Sequence, residues 1–369
     1  MNNLFFCWLI FQFSFLPAIN LAAQNPKLNN TFNFSFSIVI DSKGNAFVTG
    51  KNNRIIKISP QGQAELFAGG GRNNKDGVGK EAGFYDAKGI TIDSADNLYV
   101  ADGPAIRKVT RDGLVSTVTG SSMSGYKDGN RATAAFVNLE NIAIDNKGTI
   151  YVTDNEYSAK GSTGYYYIRK ITTDGNVTTV TNGNEGEFKL HYPRGLACDK
   201  DGNLFVCCVA SHCIRKIPPS GIITTVAGQC DKTILNSVYK EGDVKTAVLT
   251  SPSGIAIAKN GDIYISDNRL NRIIKIANNK VTTVAGTGKL LFSGNPGGAA
   301  ETGYADGKAL TSRFDAPNGI VFDRNGNLFI IDRSSRNNSY IRKLSTDGIV
   351  TTFCKHEWNP KTSQYEQAD

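Results

Sequence analysis

A pattern of four short apolar runs comes round six times between Phe32 and Cys354, and no other property of the chain restricts its fold as much. It is clearest from Lys88 to Val118, KGITIDSADNLYVADGPAIRKVTRDGLVSTV. The runs GITID, NLYVAD, AIRKV and LVSTV alternate apolar with polar residues. Tight-turn signals separate the first two (Ser94-Ala95-Asp96) and the last two (Arg111-Asp112-Gly113). Such alternation between Gly, Asp and Asn turns predicts antiparallel strands. Four strands in about 30 residues make a sheet too small to stand alone, so it must pack against copies of itself.

The copies are in phase. The first turn is Asp41-x-x-Gly44-Asn45, then Asp93-x-x-Asp96-Asn97, Asp145-x-x-Gly148-Thr149, Asp199-x-x-Gly202-Asn203, Ala258-x-x-Gly261-Asp262 and Asp323-x-x-Gly326-Asn327. The third run always carries a lysine: Lys57, Lys108, Lys170, Lys216, Lys275 and Lys343. The fourth is VSTV at 115, VTTV at 177, ITTV at 223, VTTV at 281 and VTTF at 350, with a looser first copy at Ala64-Glu65-Leu66-Phe67. From Asn45 the turn advances by 52, 52, 54, 59 and 65 residues. Four-stranded units at this period predict an all-β, six-bladed β-propeller, each repeat supplying all four strands of its own blade.

The segments PNGIVFDRNGNLFIID at 317–332 and PSGIAIAKNGDIYISDNRLNRIIKI at 252–276 resemble NHL repeats, in order and in phase. The resemblance implies a six-bladed propeller used mostly as a binding platform, and leaves the ligand open.

The propeller is expected over 32–354. Before it, Phe5 to Ala18 is an apolar run, and Leu21-Ala22-Ala23 offers small residues for cleavage, so 1–23 reads as a secretory signal peptide and 24–31 as a polar linker. The n-region, Met-Asn-Asn, holds no Lys or Arg. No later stretch is long and apolar enough to span a membrane. The expectation is a secreted or periplasmic monomer with a polar tail over 355–369. The net charge of +8 contains no run of five like charges, which suits a solvated basic surface, and export argues against a nucleic-acid partner.

Six cysteines follow the leader: Cys198, Cys207, Cys208, Cys213, Cys230 and Cys354. Cys208 and Cys213 flank one hairpin and could be bridged, and Cys198 reads as a buried free thiol. Zinc-ligand spacing is absent, and His212 is the one histidine inside the cluster.

Strand direction separates the two faces of the ring. The connections between first and second and between third and fourth strands are uniformly short. Those between second and third strands and between blades are long and variable, including 155–165, 229–248, 287–313 and 333–339. Variation confined to one face of a repeat fold points to that face for binding. On it, the second strands end in Asp102, Asp154, Asp267 and Asp332, which either cap their own hairpins or ring the face. Asp76, Asp128, Glu241 and Asp306 recur in the blade-to-blade loops, where a turn role outweighs a calcium site.

The candidate ligand-binding residues are Asp102, Asp154, Tyr165, Tyr167, His212, Asp267, Arg269, Arg272, Asp332 and Arg336. Tyrosine rings suit a sugar face or a peptide, and arginines suit carboxylate, phosphate or hydroxyl groups. No catalytic residue, metal ligand or cofactor is assigned. The residues favour a non-catalytic module holding a protein segment or glycan on the long-loop face. The alternative is a metal-dependent lactonase or lyase using the strand-end aspartates at the central channel.

Overall fold

The computed structural model describes residues 34–50, 53–71, 74–120, 124–156, 165–182, 190–230, 239–287, 303–333, 339–359 and 364–367. The signal-peptide and linker assignments and Arg336 lie outside them. Within them the chain forms six antiparallel sheets arranged as the blades of a propeller, each a meander of four consecutive strands. The innermost strands are Phe34–Ile40, Ala87–Ile92, Leu139–Ile144, Pro193–Cys198, Pro252–Ile257 and Pro317–Phe322. The second strands are Ala46–Gly50, Leu98–Asp102, Ile150–Glu156, Leu204–Cys208, Ile263–Asp267 and Leu328–Arg333.

The turn between these strands is built by its first residue. The Asp93 carboxylate accepts the Ala95 and Asn97 N–H groups at 2.9 and 2.8 Å, and Asp41, Asp145, Asp199 and Asp323 do the same in their blades. The fourth position of the turn is left-handed, which glycine adopts freely. Blade 2 places Asp96 there at φ 63°, and its carboxylate reaches Ser42 of blade 1.

Alternate residues of each strand bury against a neighbouring blade, and each of the six hydrophobic clusters joins two consecutive blades. The apolar residue before each inner strand sits at these seams: Phe84, Phe136, Leu190, Leu249 and Phe314. Blade 6 closes on blade 1 through a packed seam, Phe329, Ile331 and Ile341 against Ile38, Val48 and Ile56. The third-strand lysines stay half-buried. Lys57 pairs with Glu65 at 2.9 Å, and Lys108, Lys216 and Lys343 lie over aromatic rings.

Three blades gain a fifth strand. Gly77–Val78, Gly242–Asp243 and Gly307–Lys308, in the blade-to-blade loops, pair with the outer strands of blades 2, 5 and 6. At the C-terminal end the outer strand Ile349–Asn359 runs into the segment expected as a tail and pairs with Gln364–Gln367.

Candidate functional site

The strand-end aspartates do not ring the upper face. Asp102, Asp154, Asp267 and Asp332 are fully buried, because the loop entering each inner strand folds over them. Asp102 accepts the Tyr85 and Asp86 N–H groups at 2.8 and 2.7 Å, Asp154 those of Val137 and Asn138, and Asp332 those of Asp315 and Ala316. Each of the three also pairs with a buried arginine of its third strand: Asp102 with Arg107 at 3.1 Å, Asp154 with Arg169 at 2.9 Å, Asp332 with Arg342 at 3.3 Å. Asp267 instead takes Thr250 N and Oγ1, Ser251 N and Leu270 N, so it caps its hairpin and the incoming loop together.

The arginines complete a module that sequence reasoning missed. Arg169 also donates to Asp128 at 2.8 Å and lies between the Tyr126 and Phe136 rings, 4.7 and 5.2 Å from their centroids. Asp128 in turn accepts the N–H and hydroxyl of Thr179 in the outer strand. Arg342 repeats this with Asp306, Thr352, Tyr304 and Phe314, and Arg107 with Asp76, Thr117 and Phe84. The loop acids therefore staple each incoming loop to its blade's outer strand.

Burial pushes the Asp102 and Asp154 carboxyls up, and takes Asp332 to about 6 against the pull of the Ala316 and Asp315 N–H groups and Arg342. From an ordinary 3.8, folding then takes up a proton at Asp332 between about pH 4 and 6. The contribution of this site is greatest below about pH 4 and is lost as pH rises through about 6. Asp332→Asn, neutral throughout, should flatten the melting temperature against pH in that window. An unchanged profile would refute the assignment.

The other candidates divide. Tyr165 is 47% exposed, but Tyr167 is buried, stacked on Tyr126 at 4.1 Å. Arg272 is buried over the Tyr239 ring at 4.0 Å, so it serves the seam of blades 4 and 5 and not a rim. His212 has Nδ1 2.5 Å from the Thr250 carbonyl, and Arg269 is exposed on the blade 5 hairpin. None of Tyr165, Tyr167, His212, Arg269 and Arg272 is among the residues lining the channel or its mouth.

The channel mouth on the long-loop face is built by other residues. A cavity of about 190 Å³ there is lined by Lys88, Glu140, Asn141, Tyr192, Arg194, Ser253 and Asn318. Below it the channel, about 260 Å³, is walled by all six inner strands, and no Asp, Glu or His is among its lining residues. Lys88 Nζ bonds Asp86 at 3.0 Å and Asn138 Oδ1 at 3.0 Å, and the Arg194 guanidinium lies 5.7 Å from the Tyr192 ring. Strand alternation turns Tyr166, not its neighbours, toward Tyr192 of the mouth. Its ring meets Tyr192 edge-on at 5.6 Å, and burial, then Tyr192 and Glu140, raise its hydroxyl pKa. The available signal was in the repeat. The position before the inner-strand glycine reads Lys88, Arg194, Ser253 and Asn318, with Glu140 before Asn141 in blade 3, while an isoleucine or leucine stands two residues on in each of the five.

The structure also decides the pairing that the sequence left open. Cys213 is bonded to Cys230, while Cys208, opposite Cys213 in register, is a buried free thiol. Cys198 is free as expected, and burial pushes its thiol up to about 12.

The Teneurin NHL domain family matches residues 71–128, the loop and four strands of blade 2. The chain is a six-bladed propeller whose second blade carries an NHL match. Among curated proteins, this propeller is similar to Protein SUPPRESSOR OF QUENCHING 1, chloroplastic, of Arabidopsis thaliana, 26% identical over 304 residues, covering 76% of this chain and 27% of that protein. It spans 10% of the length of mouse Teneurin-3, to which it is 25% identical over 278 residues, 69% of this chain. Among solved structures, it shares its fold with an auxiliary nutrient binding protein from Bacteroides thetaiotaomicron, TM-score 0.58 at 18% identity, covering 87% of this chain and 70% of that one.

Proposed function

We propose that this six-bladed propeller is a non-catalytic binding module that grips a protein segment at the long-loop mouth of its channel. The observation that carries this is the ring at the mouth. One repeat position supplies Lys88, Glu140, Arg194, Ser253 and Asn318 to the rim, two cations, a carboxylate and two polar groups on an otherwise uniform scaffold. Variation of this kind costs the fold nothing and provides a specific charge pattern, which suits a segment carrying both acidic and basic side chains. A cavity of about 190 Å³ takes one such side chain, with Tyr192, backed by the Tyr166 ring, in its wall. The fold is shared by the Bacteroides nutrient binding protein and by a gluconolactonase of Xanthomonas campestris alike, so the choice of binding rests on the mouth and not on the fold. The lactonase or lyase alternative loses its candidate groups, since Asp102, Asp154, Asp267 and Asp332 are committed to backbone N–H groups away from the channel wall. The Cys213–Cys230 bond supports secretion or a periplasmic location.

The test is to pan displayed peptides on the purified chain and measure the best binder by calorimetry. Lys88→Ala with Arg194→Ala should weaken it at least about tenfold, close to 1.4 kcal/mol. Unchanged affinity would move the site off the mouth. A binder found on a glycan array and not among peptides would replace the protein segment by a sugar.

A further inference from the structure

A second cavity lies on the opposite face. Between blades 2 and 3, among the short turns, the structure encloses about 660 Å³, more than either channel cavity and within the range of small-molecule sites, roughly 300–1,000 Å³. Beside it one blade departs from the repeat. The residue three after the loop acid sits over the turn that closes its blade's outer strand: Gly79 N–H donates to Gly113 O, Val244 to Asn279 O and Ala309 to Gly348 O. Val244 is buried in the seam of blades 4 and 5, and Ala309 packs on that of blades 5 and 6. In blade 3 this position is Arg131, which is exposed and lies against Gly175 in the turn. A charged residue thus replaces an apolar plug where the seam opens.

The lining is rich in donors and short of acceptors. Lys108, Arg131 and Lys147 face the cavity, and among the described residues none donates a side-chain hydrogen bond. Ser94, Ser116 and Thr173 add hydroxyls. The carboxylates are occupied. Asp93 takes the N–H groups of Ala95 and Asn97, the Asn97 amide and the Tyr99 hydroxyl, and Asp145 takes Lys147 N and Thr149 N. Asp174, whose charge lies near Arg131, takes Thr172 Oγ1 and Asn176 N. The floor is apolar, from Ile92, Val118, Ile144 and Ile150.

We infer that this cleft binds an acidic oligosaccharide. Its carboxylates would meet Arg131, Lys108 and Lys147, its hydroxyls the serines and threonine, and a ring face the isoleucine floor. This inference is independent of the channel-mouth site. A peptide adding to the outer strand of blade 2 would find the Thr117 N–H already taken by Asp76 at 3.2 Å. A nucleobase would find the one tyrosine ring, Tyr99, already facing Lys108 at 5.7 Å.

Calorimetry and saturation-transfer NMR with trigalacturonate, maltotriose and an all-acidic hexapeptide would decide. Trigalacturonate is expected to bind the full chain at least about tenfold more tightly than either comparator. Arg131→Val, which installs the residue of blade 5, should remove that binding while leaving the melting temperature unchanged or higher. Arg131→Lys should retain part of it, and Lys88→Ala with Arg194→Ala all of it. No binding by the wild-type chain, equal affinity for the hexapeptide, or full affinity in Arg131→Val would each overturn the inference.

Discussion

Arg169→Met is expected to cost about 3–5 kcal/mol of stability, the usual penalty for removing one member of a buried ion pair. The guanidinium is inaccessible to solvent and donates to Asp154, Asp128, Lys127 O and Ala135 O. Methionine fills much of the space between the Tyr126 and Phe136 rings, so the loss is electrostatic. Asp154 stays buried with two backbone N–H groups and no counter-charge. The melting temperature should fall on the order of 10 °C. Arg169→Met combined with Asp154→Leu should recover part of the loss, since neither charge then remains. A loss below about 1 kcal/mol in urea unfolding of Arg169→Met would show that the module is ornamental.

Gly254→Val is the second large effect. A Cβ at Gly254 would overlap the Asn318 carbonyl of the next inner strand and stand 2.9 Å from Ser266 Oγ. That hydroxyl already accepts the Gly254 N–H at 2.8 Å and donates to Asn318 O at 2.5 Å. The same approach recurs at Gly195, where a Cβ would lie 2.5 Å from Ser253 O, and at Gly89 against the Asn141 Cα at 2.7 Å. Since the overlapped atoms are backbone, relief requires moving an inner strand and its seam, at about 3 kcal/mol or more. Gly221→Ala is the contrast. Nothing lies within 4 Å of its Cβ, and the residue is strained by φ +83° alone, about 1 kcal/mol. Equal losses from the two substitutions would show that inner-strand spacing does not govern the ring.

Much of the candidate site was present in the repeat and still misread. Arg107, Arg169 and Arg342 recur just before the third-strand lysine with the same period as Asp102, Asp154 and Asp332, and Thr117, Thr179 and Thr352 recur with Asp76, Asp128 and Asp306. Matching phases of opposite charge were the available signal for a buried module. A strand end usually meets solvent, so the sequence left the aspartates either capping their own hairpins or ringing the face. Here the incoming loop folds back and covers each one, a path set by the seam phenylalanines Phe84, Phe136 and Phe314. Tyr165 and Tyr167 were preferred over Tyr166 for lack of a register. Once Asn155 pairs with Tyr166, alternation sends Tyr166 toward Tyr192.

Local order along the chain was thus determined by sequence alone. The number of blades, the Asp-capped turns, the four-strand meander and the face bearing the long loops depend on contacts a few residues apart, and period-two alternation with turn residues specifies those contacts. Tertiary structure alone decided which polar side chains meet solvent. Whether Asp154 faces a ligand or Arg169, whether Cys213 joins Cys208 or Cys230, and whether a seam is plugged by Val244 or opened at Arg131 depend on loops packing against neighbouring blades. Such contacts join residues tens of positions apart, beyond the reach of any local pattern.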